Sequence, residues 1–310
     1  MRFGIFGFGR VPYAAIAERI REAEAMGFAS AWVDDDLLTP GYAELEPWTL
    51  LGALARETET IQLGTMVSAI TFRHPSLLAA CAATLQQISG GRVALGLGSG
   101  GPPHPYPAFS HTAWSARERA ERLEEYVEVL APLLRGDVVT RDGPRYPVRD
   151  AALPSAVREP RVPLIVAAHG DRALRVAARH ANGGNSLGGQ PYPAKGPDDL
   201  VTLEEAVAET RRLSERLDGF CREAGRDPAT VRRSVQALRP VPDPLSSIDA
   251  FDAYTGAFAE MGIDEIIFYW PPIDYALAGD PEVPADRQAQ FERIVAARIA
   301  PGSAPNATLS

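Results

Sequence analysis

Short apolar runs alternate with amphipathic stretches along most of this chain. The runs fall at 3–8, 29–34, 61–67, 92–97, 163–168, 182–187, 232–238 and 264–269. The amphipathic stretches fall at 12–26, 47–57, 75–88, 116–135, 171–180, 203–224, 248–261 and 286–299. An apolar run too short for a helix reads as a strand covered on both faces, the habit of parallel sheets. Leu78, Cys81, Leu85 and Ile88 keep helical spacing, and Pro75 stands where a helix tolerates the missing N–H. Gly90-Gly91 ends that helix. Ser115-Ala-Arg-Glu118 and Thr202-Leu-Glu-Glu205 are capping-box patterns that mark two further helix starts. Gly27 and Gly262 each follow a methionine at a helix end and lead straight into a strand. The repeated strand–helix unit predicts an α/β fold, a closed (β/α)8 TIM barrel rather than an open doubly wound sheet.

Two stretches interrupt the alternation. A polar, proline-bearing insertion at 137–161 precedes the fifth strand, and a long loop at 188–199 follows the sixth. Loops at strand C-termini build the active sites of such barrels, so the second is the better placed for function. No linker separates domains: residues 1–300 are expected to form one domain and the patternless 301–310 a mobile tail.

Composition narrows the function. With 45% hydrophobic and 23% charged residues among 310, the chain can bury a large core. A net charge of −9 without a basic stripe argues against nucleic-acid binding. Cys81 and Cys221 are too few for a disulfide framework and fit a reducing cytosol. The apolar run at 3–8 is too short for a signal peptide, and no stretch has the ~20 apolar residues of a membrane span.

The candidate chemistry sits at strand ends. Gly96, Gly98, Gly100 and Gly101 crowd the end of the fourth strand, where a backbone without side chains makes room for something. They satisfy G-x-G-x-x-G, but Pro102-Pro103-His104-Pro105 blocks the helix that a Rossmann site requires. A cofactor-contacting loop at Gly98, Ser99 and Gly100 and a structural turn both remain open. Asp34, Asp35 and Asp36 end the second strand, as a helix cap with solvated acids, or with Asp36 hydrogen-bonded to cofactor or substrate. His169-Gly170-Asp171, with Arg172, opens a helix after the fifth strand, and the exposed N–H groups there suit a phosphate, although Asp171 could simply cap the helix. Asn185, Ser186 and Gly188 end the sixth strand and could complete that pocket. His104 and His111 lie in an aromatic, proline-rich loop; His104 is a candidate proton donor or a solvated histidine. The histidines are not spaced as metal ligands, so no metal is expected.

Several segments together resemble the bacterial luciferase-like superfamily, the flavin- and deazaflavin-dependent barrel oxidoreductases. They are Ala23-Glu-Ala-Met-Gly-Phe28, Glu46-Pro-Trp-Thr-Leu-Leu51, Gly64 through Pro75, Ser89-Gly-Gly-Arg92, Leu95-Gly-Leu-Gly98 and Pro163-Leu-Ile-Val-Ala-Ala168. The resemblance covers about residues 3–299, and Met66 through Pro75 most resembles enzymes assigned to coenzyme F420. It implies a tricyclic cofactor across the C-terminal mouth of the barrel and a non-proline cis peptide, by position Met66–Val67, that props the ring. Phe6, Met66, Val67, Ser68 and Ile70 would then lie against or near the cofactor. The sequence departs from the pattern at Asp36, where oxygen-using members carry a histidine, at His169-Gly170, and at Gln190, where some deazaflavin enzymes place a lysine. Lys195 or Arg172 could supply that charge.

The resemblance thus implies an oxidoreductase that transfers a hydride between reduced coenzyme F420 and a small organic substrate with an activated C=C, C=N or C=O group. Asp36 and His104 are its catalytic candidates. Two other readings stand beside it: an FMN-dependent monooxygenase supplied by a partner reductase, and a non-catalytic flavin-binding barrel. Members of the superfamily are often homodimers.

Overall fold

A computed structural model of the protein describes residues 1–38, 44–101, 106–109, 113–157, 159–190, 200–270 and 285–300. Eight parallel strands close into a barrel: β1 (Arg2–Phe6), β2 (Ser30–Val33), β3 (Gln62–Ala69), β4 (Val93–Gly98), β5 (Leu164–Ala167), β6 (Gly183–Ser186), β7 (Arg232–Gln236) and β8 (Glu265–Tyr269). Each strand pairs with its sequence neighbours, and β8 returns to β1 with Arg2 opposite Glu265 and Phe6 opposite Tyr269. Helices follow the strands: α1 (Tyr13–Ala25), α2 (Pro47–Glu57), α3 (Pro75–Ser89), α4 (Ala116–Leu134), α5 (Asp171–His180), α6 (Leu203–Glu223), α7 (Ile248–Glu260) and α8 (Ala285–Ile294).

The short strands are buried throughout or nearly so because the barrel interior lies on one side and helices on the other. Phe6, Trp32, Met66, Ala94, Ile165 and Ile267, from six different strands, fill the interior as a packed plug. Gly64 makes that possible, since a Cβ there would lie 2.5 Å from the Trp32 ring. The larger core, between barrel and helices, holds most of the remaining apolar residues.

Local signals behave as their chemistry requires. Thr202 and Glu205 form both halves of their capping box. Ser115 accepts the Glu118 N–H at 3.2 Å, but the Glu118 carboxylate turns to Arg122 at 2.8 Å. Met26 and Met261 are helix caps, each followed by a glycine with positive φ. His74 caps α3 through Nδ1, which accepts the Ser76 N–H. Arg92 of the Ser89-Gly-Gly-Arg92 segment stitches α2 to the foot of β3, donating to the Ala55, Thr58 and Ile61 carbonyls at 2.9 Å.

The insertion at 137–161 is not shapeless. It contains an antiparallel pair, Val139–Arg141 with Val148–Ala151, fastened to α4 by Arg141 and Arg145 against Glu121, Glu125 and Glu128. Beyond the loop after β6 the described chain resumes at residue 200, and Val201–Thr202 pairs with Pro240–Val241. Among the described residues no helix is long and apolar enough to cross a membrane. The tail expected at 301–310 lies outside the described residues.

Candidate active site

β3 is the strand that shapes the mouth. Its register against β4 shifts between Thr65 and Ser68, and the peptide bond Met66–Val67 within the shift is cis, at the position anticipated from the resemblance. Hydroxyl groups brace the bulge from behind: Trp48 Nε1 donates to Ser68 Oγ at 3.2 Å, Ser68 Oγ to Thr65 Oγ1 at 3.1 Å, and Thr65 Oγ1 to the Gly96 carbonyl at 3.0 Å. β4 yields to the bulge by having no side chains there. A Cβ on Gly96 would stand 2.1 Å from the Thr65 carbonyl oxygen, and one on Gly98 would stand 2.5 Å from Val67 Cγ2. The room that the glycines suggest is therefore first of all room for β3.

The bulge faces a cavity of about 900 Å³ over the barrel mouth. Phe6, Met66 and Val67 form its apolar floor, with Tyr269 set edge-on to Phe6 at a ring distance of 5.1 Å. Gly98, Ser99 and Gly100 line it from β4, and Asn185 from β6, its amide donating to Ser234 Oγ at 2.9 Å. Asp36, His169, Gly170, Asp171 and Arg172 line it as well. Three candidates lie elsewhere: Ser68 works behind the bulge, Ser186 faces outward beside Thr210 and Leu213, and Gly188 packs against the Gln236 carbonyl. His104, His111 and Lys195 lie outside the described residues. Among the described residues no cluster of three His, Cys, Asp or Glu could hold a metal.

Among the polar lining residues, Arg119, Gln236 and Tyr269 carry no local sequence signal, and Asp34 and Asp35 stand out only as members of the acidic run. Arg119 is one turn inside α4, where its i, i+3 relation to Ala116 puts both on the mouth side. Its Nη1 donates to the Trp114 carbonyl at 3.0 Å, while Nε is buried without a partner among the described residues. Tyr269 and Asp34 are strand-end residues, and their inward direction depends on barrel twist, which no local pattern reveals.

Electrostatics divides the mouth. On the β2 side Asp35 is buried and its Oδ2 meets Arg73 at 2.5 Å; Arg73 also pairs with Glu46, which caps α2. Burial pushes the Asp35 carboxyl up to about 6, with Arg73 limiting the rise. Asp34, beside Glu44 and Asp36, is pushed up to about 7, mostly by burial. Glu44 rises to about 7 for the same reason. On the other side, the N-terminus of α5 opens at Gly170 with no capping side chain, and a Cβ there would meet nothing within 4 Å. His169 beside it is pushed down to about 4 by burial, so the imidazole is neutral at pH 7. Arg172 and Arg119 bring the positive charge to this side.

A bulged third strand under a mouth cavity is a specific arrangement, and the sequence model of the luciferase-like monooxygenases matches residues 1–244. The chain belongs to this family. Among its relatives, an F420-dependent glucose-6-phosphate dehydrogenase of Beutenbergia cavernae is 37% identical over 203 residues, 63% of this chain and 59% of that protein. A 5,10-methylenetetrahydromethanopterin reductase of Archaeoglobus fulgidus is 29% identical over 183 residues, 59% of this chain and 52% of that one. The matched segment thus spans less than two thirds of either relative's length. In fold, this luciferase-like chain superposes on an F420-dependent secondary alcohol dehydrogenase, solved with an F420–acetone adduct, with a TM-score of 0.75. Sequence identity is 17%, and the match covers 98% of this chain and 99% of that one.

Proposed function

We propose that this protein is an oxidoreductase that transfers a hydride between reduced coenzyme F420 and a small organic substrate carrying an activated C=C, C=N or C=O group. The observation that carries this reading is the division of the mouth. An apolar floor at Phe6, Met66 and Val67 lies beneath one cavity, whose far rim carries an open helix N-terminus and two guanidinium groups. A deazaflavin with an anionic tail needs those parts: a flat apolar support, N–H groups for a phosphate, and cations along the exit. The uncapped helix N-terminus at Gly170, open to the cavity, and the buried Nε of Arg119 fit that group. The relatives named as F420-dependent support the same cofactor.

Bound in this site, the cofactor supplies a hydride from its deazaflavin C5. The chain's own residues do the rest. Phe6 and Val67 cover one face of the cavity and exclude water, with Ile70 packed in the core nearby. Gly98, Ser99 and Gly100 offer backbone along the β4 edge, and Asn185 is fixed by Ser234. Gly170 and Arg172 receive the phosphate, while Asp171 is drawn to Arg216. His169, neutral at pH 7, adds no positive charge to that side and leaves the attraction of the tail to the two guanidinium groups. Asp36 lies where a substrate would meet the carboxylate side of the mouth.

Paired titration of the purified protein with coenzyme F420 and with FMN, followed by fluorescence quenching, tests this. Saturable binding of F420 at least tenfold tighter than FMN is the expected result. The reverse preference would replace the proposal with a flavin monooxygenase, and binding of neither would end both.

A further inference from the structure

Behind the mouth lies a second cavity of about 80 Å³, lined by Arg10, Glu44 and apolar residues of β1, α1 and α2. That is room for several water molecules at about 10–15 Å³ each. Phe6, Asp34 and Tyr269 line both cavities and form the partition between them. Phe6 carries no exchangeable proton, and burial holds the Tyr269 phenol well above its ordinary range. Asp34 is the remaining group in that wall that can take a proton from one side and release it on the other. Its Oδ1 accepts the Asp35 N–H at 2.8 Å, and Oδ2 has no hydrogen-bond partner among the described residues.

A second feature shows that the β2 side of the mouth is built for a ligand. Asp35 is 3% exposed and lines the mouth; its Oδ2 is taken by Arg73 and the Ala69 N–H, but its Oδ1 is buried with no partner among the described residues. A buried carboxylate oxygen left without a donor is costly unless a bound molecule supplies one.

We propose that Asp34 is the proton donor to the bound substrate and that Glu44 recharges it through the inner cavity. This rests on the reading above that a hydride is delivered in the mouth. Hydride addition forms the new C–H bond, and the π pair of C=X moves onto X. The Asp34 O–H bond then breaks, its electrons stay on the carboxylate, and an X–H bond forms. A proton from Glu44, replaced in turn from solvent, returns Asp34 to its acid form. Asp36 lines the mouth but not the inner cavity. The groups facing Asp34 are Asp35, Asp36 and Glu44 of its own connecting segment, Arg10 after β1, and Tyr269 of β8, with Arg239 beyond it. Their balance is acidic, which favours a held proton.

Two measurements test the donor. Infrared pH titration of the whole protein, from about pH 5 to about pH 9, reads the C=O stretch of a protonated carboxyl without any cofactor. Loss of carboxyl C=O intensity with a midpoint near 7 is expected in the wild type; Asp34→Asn should remove part of that intensity and leave the Glu44 share, and Glu44→Gln should leave a band of lower midpoint. A titration unchanged by Asp34→Asn overturns the proposal whatever the cofactor turns out to be. Single-turnover oxidation of reduced F420 by 2-cyclohexen-1-one should then slow by about 10²- to 10⁴-fold in Asp34→Asn. F420 affinity should stay within threefold of wild type. A wild-type rate in that variant also overturns the donor role, whereas loss of F420 binding by the wild type itself overturns the proposed function and leaves the infrared result standing.

Discussion

The two rims of the mouth solve different problems. On the β2–β3 rim, side chains are tied to one another: Asp35 to Arg73, Arg73 to Glu46, Glu46 to the first turn of α2, and Trp48 through Ser68 and Thr65 to β4. On the α4–α5 rim, Gly170 has no side-chain cap, Arg119 keeps a buried Nε without a partner among the described residues, and Arg172 reaches Glu121 only at 3.6 Å. The first rim is preorganised and holds the geometry on which chemistry depends. The second leaves donors unspent, which is what an anion arriving from solvent needs.

Removing a tie on the first rim should cost most. Arg73→Leu strands Asp35 and Glu46 together, and its unfolding free energy in urea should drop by about 3–5 kcal/mol. Equal stability in that variant would show that the network is decorative. The acid residues should also leave a signature in pH. The folded state raises Asp34 and Glu44 to about 7 and Asp35 to about 6, so it binds protons that the unfolded chain has released. Their contribution is complete below pH ~4 and is lost as pH rises through 6–7. His169, held near 4, works in the opposite sense, costing stability as pH falls below 6.5. Comparing wild type with Asp34→Asn isolates one carboxyl: the wild type should lose a few kcal/mol more between about pH 5 and pH 8, measured by thermal unfolding.

Crowding the bulge comes next. Gly96→Ala drives a methyl into the Thr65 carbonyl and should destabilise by about 1–3 kcal/mol, with F420 affinity lost in parallel because the bulge must move. The second rim should respond in binding rather than in folding. Arg119→Gln should weaken F420 about tenfold, roughly 1.4 kcal/mol, and flatten the salt dependence of binding. Gly170→Ala adds a methyl that meets nothing within 4 Å, so it should lower stability by at most about 1 kcal/mol, the difference between glycine and alanine at a helix N-cap. Any loss of F420 affinity in that variant would come from the methyl crowding the helix N-terminus.

Much of the frame is legible without coordinates because short buried strands and capped helices are local signals. The expected strand at 61–67 is observed as Gln62–Ala69, the extra length belonging to the bulge. The one at 232–238 stops at Gln236, since the chain turns through Arg239 with φ +49. The pair at Val139–Arg141 and Val148–Ala151 escaped notice because it is held by arginines reaching α4, a contact that no alternation of polar and apolar residues records. Around the mouth, Gly98 and Gly170 could be picked out from strand ends, and Phe6, Met66 and Val67 from the family resemblance. Asp34 could not be ranked above its neighbours, because three consecutive carboxylates look alike until burial and direction separate them.

The sequence by itself determined the barrel, the order of its strands and the loops that crown it, since periodicity, caps and glycine stops act within a few residues of where they are written. Tertiary structure alone decided which strand-end side chains share a wall. That choice depends on barrel closure, strand twist and the bulge of β3, which bring Phe6, Asp34 and Tyr269 together from three strands distant in the chain.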